Sequence, residues 1–230
     1  MTADRVPRVA VVVTAWNTAP YIDACLDSIC SSSLSDIEIC LVDDGSTDGT
    51  TDRCEAWASR DDRIQFMPSP RVGRNGALRL AHSLVTADVA CWVDSDDLVA
   101  ETGIQRCLDA LDDEHEVATT LRMRIDVDGR PLGQDPWCNG AEPRTTHFWH
   151  HLRLFTVDLF DRAGGVGDLD GSIDFDMNLR FAEHTKAVFL REILYSMRER
   201  PGRMNGGVAQ TRGHRQALEN ARLRAQSIRG

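Results

Sequence analysis

Asp94, Asp96 and Asp97 fall within four consecutive positions directly after the apolar run Val89 to Val93. Carboxylates held that close repel one another unless a cation joins them, and hard oxygen ligands of this kind suit Mg2+ or Mn2+. A dication bound there would in turn grip a diphosphate. The D-x-D spacing alone is weak evidence, because it recurs at Asp126/Asp128, Asp168/Asp170 and Asp174/Asp176. Position promotes Asp94 and Asp96, since they follow an apolar strand; the plainer reading beside it is a turn with capping aspartates. Two more polar clusters follow apolar runs in the same way, Thr14-Ala15-Trp16-Asn17 after Val9 to Val13 and Asp43-Asp44 after Ile37 to Val42.

The elements that must position these clusters are legible as a repeated rhythm. Val9 to Val13 has the continuous β-branched character of a strand buried on both faces. A helix follows, opened by Pro20 and marked by Ile22, Cys25, Leu26 and Ile29 at helical spacing. The unit repeats with a strand over Ile37 to Val42 and a helix carrying Cys54 and Trp57, then with Ile64 to Met67 and a helix marked by Ala77, Leu80, Ala81 and Leu84. A fourth unit comprises Val89 to Val93 and the helix face Ile104, Cys107, Leu108 and Leu111. Four such units predict a mostly parallel sheet with helices on both faces, and ligands in these sheets sit outside the carboxyl ends of the strands. All three polar clusters fall on that edge.

After residue 115 the rhythm breaks. Val117 to Val127 predicts a long strand, Asp128-Gly129 a hairpin turn and Pro131 to Thr146 an irregular loop. Short helices are expected near Val157 to Ala163, ended by Gly164-Gly165, and near Asp174 to His184, with two short strands around Val188 and Leu194. Gly164-Gly165-Val166-Gly167 follows a helix and not a strand, which excludes a dinucleotide-binding loop.

A net charge of −10 argues against nucleic acid as the partner. The body is acidic, yet from Arg198 onward eight arginines face two glutamates. That basic end reads equally as a contact with an anionic membrane or as a lid over a bound ligand. Seven cysteines with no C-x-x-C pair read as reduced and mostly buried, and five apolar residues near the start are too few for a signal core or a membrane span. A cytoplasmic location is expected, with peripheral contact at the inner membrane face through the basic end.

The runs VVVTAWN, IEICLVDDGSTDGT, GRNGALRLAHS and ADVACWVDSDD, in this order and spacing, resemble glycosyltransferase family 2. The resemblance covers residues 7 to 112 closely and 145 to 200 more loosely. It implies the α/β GT-A fold, a Rossmann-like mostly parallel sheet with a smaller mixed half. Residues 1–115 would bind the donor and 116–200 the acceptor, with 201–230 a basic tail. It also implies an inverting, metal-dependent transfer of a sugar from a nucleoside diphosphate, UDP favoured, to an acceptor hydroxyl on a saccharide, a lipid-linked saccharide or a small molecule.

Residue by residue, the resemblance places Thr14, Ala15, Trp16 and Asn17 around the base, Trp16 as a stacking face. Asp44 would accept from the base, and uracil has a suitable N–H, while Asp43 supports the loop. Arg74 and Asn75 would contact base or diphosphate at a helix N-terminus, Gly73 standing where the family often has alanine. Asp96 would be the chief ligand of Mn2+ or Mg2+, with Asp94 and Asp97 serving ribose or metal and Ser95 the donor nucleotide. The general base aligns with Asp174, although Ile173 replaces the first acid of the family's usual pair. Asp174 and Asp176 lie about 200° apart on a helix, so both cannot face one cleft.

The helix-dipole role of an N-terminal aspartate is the plainer reading of Asp174. His147, His150 and His151 read as acceptor-loop or packing residues. His214 could close over the metal, with Arg198, Arg200 or Arg203 on the diphosphate. Two rival functions remain: a sugar-phosphate nucleotidylyltransferase, which TAWNTAPY does not suit for want of a glycine-rich, lysine-bearing loop, and a non-catalytic or partner-dependent binding module, which Ile173 favours.

Overall fold

The computed structural model describes residues 7–135, 151–169, 172–200 and 208–227. Strand β1 (Val9–Ala15) sits at the centre of a parallel set with β2 (Ile37–Asp44), β3 (Ile64–Ser69) and β4 (Val89–Asp94), in the order β3-β2-β1-β4. Successive side chains of a strand point to opposite faces, and β1 obeys this. Val9, Val11 and Val13 enter one apolar cluster, while Ala10 and Val12 enter another. Helices α1 (Ile22–Cys30), α2 (Thr50–Ala58) and α4 (Gly103–Leu108) cover the first face with Ile22, Leu26, Ile29, Cys54 and Ile104. Helices α3 (Gly73–His82), α5 (Val157–Arg162) and α6 (Ile173–Phe181) cover the second with Leu78, Leu159, Met177 and Phe181. The doubly covered parallel sheet predicted from the four strand-helix units is present.

The second half extends the same sheet. β8 (Arg153–Thr156) pairs antiparallel with both β4 and β6 (Val117–Ile125), and β6 runs parallel to β9 (Ala187–Arg198). The short β5 (Leu98–Val99) pairs antiparallel with Ser196 and Tyr195 of β9, which clamps the segment leaving β4 against the end of β9. The carboxyl ends of β1, β2, β4, β6 and β9 therefore point the same way.

Three expectations need correcting. The stretch from Pro131 is not wholly irregular, because β7 (Pro131–Gln134) pairs with β6 across a turn. That turn is the expected Asp128-Gly129: Gly129 has φ 86, and the Asp126 carboxylate accepts from Asp128 N and Arg130 N. The two strands expected around Val188 and Leu194 are one strand, β9. Arg191 and Glu192 break the apolar pattern between them, and the register shift between Thr120 and Leu121 absorbs the two residues without ending the pairing. Finally, β8 occupies a place for which no strand was expected.

The basic end forms helix α7 (Val208–Ser227), which packs on α6 and buries Ala217. No helix among the described residues is long and apolar enough to cross a membrane. Cys25, Cys40, Cys54, Cys91 and Cys107 are buried as free thiols and Cys30 is partly buried, whereas Cys138 lies outside the described residues.

Candidate active site

Register fixes the rim. Thr14 lies opposite Asp94, and Ala15 opposite Asp43, so the ends of β1, β2 and β4 are side by side. The first two loops are stitched together. Asn17, at φ 50 in the left-handed region that asparagine tolerates, receives Thr47 N on Oδ1 (2.9 Å) and donates its own N–H to Ser46 Oγ (2.9 Å). Asp43 accepts from Ser46 Oγ, Ser46 N (3.2 Å) and Thr51 Oγ1 (2.8 Å), which is the loop-supporting role expected of it.

Trp16 is 48% exposed, unlike a core aromatic, and the Arg71 guanidinium lies 3.3 Å above its ring. Arg71 Nε is in turn 3.5 Å from Asp44 Oδ2. Asp44 Oδ1 accepts from Val72 N (2.6 Å) and Gly73 N (3.2 Å), so this buried carboxylate anchors the start of α3. Trp16 and Asp44 thus share one locus through Arg71, a residue not singled out in the sequence.

The aspartate loop is built from both halves of the chain. Ligand atoms of Asp94, Asp96 and Asp97 lie within 4.8 Å of one another, a hard oxygen set that fits a divalent cation. Asp97 is fully buried, and its two oxygens accept from Tyr195 Oη (2.9 Å) and Arg198 N (2.7 Å) of β9. Asp94 N donates to the same Tyr195 oxygen (3.2 Å). Arg200 Nε donates to Asp96 Oδ2 (2.5 Å), and Arg198 Nε to the Asp96 carbonyl (2.8 Å). Ser95 is buried within the turn. The concentrated negative charge registers at a neighbour: the Cys25 thiol, whose Sγ is 3.6 Å from the Asp94 carbonyl, is pushed well up by burial and by Asp97, Asp96 and Asp94.

On the other side of Arg74, α6 presents Asp174. Its carboxylate is 39% exposed, with Oδ2 3.4 Å from Arg74 Nη2 and Oδ1 3.3 Å from Arg153 Nη2. The same Arg74 nitrogen is 3.0 Å from Asp94 Oδ1, so one guanidinium joins the aspartate loop to Asp174. Burial would raise the Asp174 pKa, but Arg74, His151 and Arg153 outweigh it and hold the carboxyl below its ordinary value. Asp176 faces elsewhere, as the helical spacing predicted, and pairs with Arg180 Nε at 2.9 Å. Ile173, where the family's first acid would stand, is buried in the core.

The other residues singled out in the sequence make contacts of their own. Asn75 Nδ2 donates to the Gly167 carbonyl (2.8 Å), tying α3 to the glycine turn after α5 and leaving Arg74 as the residue that faces the aspartates. His214 packs its ring 4.3 Å from that of Phe175 on α6. His151 is buried, stacks 5.3 Å from Tyr195 and has its pKa pushed down to about 4 by burial, which keeps it neutral near pH 7. His147, His150 and Arg203 lie outside the described residues. Sequence patterning does not single out Arg153 and Tyr195; the visible signal is a charge inside the apolar run Leu152 to Phe155 and a tyrosine in a strand aimed at the rim.

The family model described as "Glycosyl transferase family 2" matches residues 10–162. Among curated proteins, the chain is 28% identical over 199 residues to hyaluronan synthase of Pasteurella multocida, covering 84% of this chain and 20% of that protein. It is 28% identical over 214 residues to the uncharacterized glycosyltransferase EpsJ of Bacillus subtilis, covering 85% of this chain and 62% of that one. The chain thus spans about a fifth of the Pasteurella protein it matches. Among solved structures, S. aureus TarS 1-349 in complex with UDP-GlcNAc superposes with a TM-score of 0.75 at 16% identity, over 93% of this chain and 65% of that one. The mannosyltransferase PcManGT from Pyrobaculum calidifontis, in complex with GDP-Man and Mn2+, gives 0.67 at 20% identity, over 99% and 66%.

Proposed function

The chain belongs to glycosyltransferase family 2 and has the GT-A fold, and we propose that it transfers a sugar from a nucleoside diphosphate donor, UDP-linked, to an acceptor hydroxyl with inversion. In this reading residues 1–115 hold the donor and 116–200 the acceptor. The observation that carries it is the single Arg74 nitrogen shared by Asp94 and Asp174 (3.0 and 3.4 Å), because it sets the two chemistries the reaction needs within one side chain's reach.

Trp16 offers the base a half-exposed ring, and Thr14, Ala15, Asn17 and Asp44 frame it; Arg74 and Ser95 lie toward the phosphates. Asn75, next to Arg74 at the start of α3, is assigned to the same donor contact. Asp94, Asp96 and Asp97 would hold Mn2+ or Mg2+, which when bound would supply Lewis-acid stabilisation of the leaving diphosphate. Inversion needs a base on the face opposite the leaving group. Asp174 supplies it, taking the proton from the acceptor hydroxyl on the cleft side of α6.

A thermal-shift series with UDP, GDP and CDP, each with and without Mn2+, tests the donor assignment. A ligand that binds only the native state stabilises it by about 2.7 kcal/mol at a concentration 100 times its Kd. A selective rise with UDP and Mn2+ is expected. No response to any nucleoside diphosphate would remove the proposal, and a response without sugar transfer would favour the binding-module alternative.

The outer face of α7 supports a membrane contact, because Arg212, Arg215 and Arg222 are exposed beside Leu218 and Leu223, 48% and 58% exposed. Each arginine near an anionic surface contributes about 1 kcal/mol. We propose peripheral binding at the inner membrane face, which suits a lipid-linked acceptor. The chain should co-sediment with phosphatidylglycerol vesicles and not with phosphatidylcholine ones, and lose that binding when the three arginines become glutamine. Equal, negligible sedimentation with both would remove this contact.

A further inference from the structure

Arg153 is among the largest wholly buried side chains of the protein, 1% exposed, on β8 at the junction of the two halves. Arginine does not shed its proton inside proteins, so a buried guanidinium is a permanent positive charge with a rigid fork of donors. Here Nη1 donates to Asn178 Oδ1 (2.6 Å) and Nη2 to Asp174 Oδ1 (3.3 Å), while Cζ lies 5.9 Å from the centre of the Trp92 ring. Asp174 and Asn178 are one helical turn apart on α6, and residues at that spacing share a face. The fork therefore spans that turn and locks α6 in rotation against β8.

The two oxygens of Asp174 are thereby made unequal. Oδ1 faces the buried side chains, with Arg153 at 3.3 Å and His151 Nε2 at 3.9 Å; Oδ2 faces the partly exposed Arg74 at 3.4 Å. The charged or titratable groups facing the carboxylate are Arg74 from α3, Arg153 from β8, His151 just before β8 and Asp94 from β4. Of the two arginines, Arg74 is 34% exposed, so that phosphates can draw it away, whereas Arg153, 1% exposed, has no such freedom.

Resting on Asp174 as the base, we propose that Arg153 is the positioning residue of the reaction: it fixes Oδ1 so that Oδ2 alone receives the acceptor's proton. In the step itself the acceptor O–H bond breaks toward Oδ2 as its oxygen bonds to the sugar's anomeric carbon. The bond from that carbon to the diphosphate breaks with its electron pair leaving on the phosphate oxygen. A carboxylate with a rotating oxygen pair would present the wrong lone pair for part of the time, and misplacement of about 1 Å costs on the order of 10²-fold.

The experiment compares wild type, R153K and R153M in the full chain, measuring kcat, KM, the UDP–Mn2+ thermal shift and the pH profile of kcat/KM. R153K keeps the charge but replaces the fork by a point donor, and its kcat should fall roughly 10²-fold with donor KM and thermal shift unchanged. In R153M the loss of a cation beside Asp174 raises that carboxyl's pKa, so the acid limb moves to higher pH. If R153M does not fold, N178L, which removes the other prong's partner, takes its place and should lower kcat in the same way. Wild-type kcat in R153K overturns the proposal, as does a fall in kcat that only tracks loss of stability. A wild-type chain that transfers from no donor overturns the glycosyl-transfer reading itself, a result separable from an active wild type with an equally active R153K.

Discussion

Asp174→Asn should lower the transfer rate by roughly 10²- to 10⁴-fold and leave the UDP–Mn2+ thermal shift intact. The amide keeps the shape of the carboxylate and still offers an oxygen to Arg153, so α6 should hold its place, but it cannot accept the acceptor's proton. Asp174→Ala is the less informative variant, because it also takes an anion from a buried guanidinium, and an uncompensated buried charge destabilises in its own right. A pH signature separates chemistry from packing. Asp174 is held below its ordinary pKa in the folded chain. It therefore contributes stability that is complete above the unfolded carboxylate value, about 3.9, and lost as pH falls through the folded one. Melting curves of the Asn variant should be flatter across that acid window than those of wild type. Transfer within threefold of wild type would exclude Asp174 as the base.

The donor half was legible because its signals are local. Buried parallel strands announce themselves as unbroken β-branched runs, and each polar cluster at a strand end needs only its own neighbours to be recognised. Asp43 shows this well: its partners Ser46 and Thr51 are within eight residues. The partners of Asp97 are not local. Tyr195 and Arg198 come from a strand about a hundred residues on, and no spacing rule links them to the aspartate loop. Asp44 was legible as a rim residue but not as the anchor of α3, since its acceptors' partners are backbone N–H groups whose direction only the fold supplies. The second half is less legible in the sequence for the same reason. Arg153 breaks the apolar pattern that defines a strand, and in β8 it is met by Asp174 and Asn178 of α6. The residues that defeat local patterning here are those that join the two halves of the site.

Asp96→Ala should abolish the Mn2+-dependent part of donor binding and lower transfer roughly 10³-fold, since a dication at the leaving group supplies several kcal/mol and each 1.36 kcal/mol is tenfold. The three aspartates are not equivalent. Asp97 has both oxygens engaged by Tyr195 and Arg198, so its replacement should loosen the loop, and a thermal melt without ligand should report it. Asp94 is countered by Arg74 and Asp96 by Arg200 at 2.5 Å. Arg200 follows β9, and a side chain extending past the strand can swing aside more readily than Tyr195 or Arg198, which belong to it. Of the two buried carboxylates, Asp96 is thus the one whose partner can yield to a divalent cation with less rearrangement than the partners of Asp97. Titration of Mn2+ followed by its electron paramagnetic resonance signal, with UDP held constant, measures this directly. Affinity lost in Asp96→Ala but retained within a few fold in Arg200→Gln would agree with it. Equal affinity in Asp96→Ala and wild type would move the ion away from this loop.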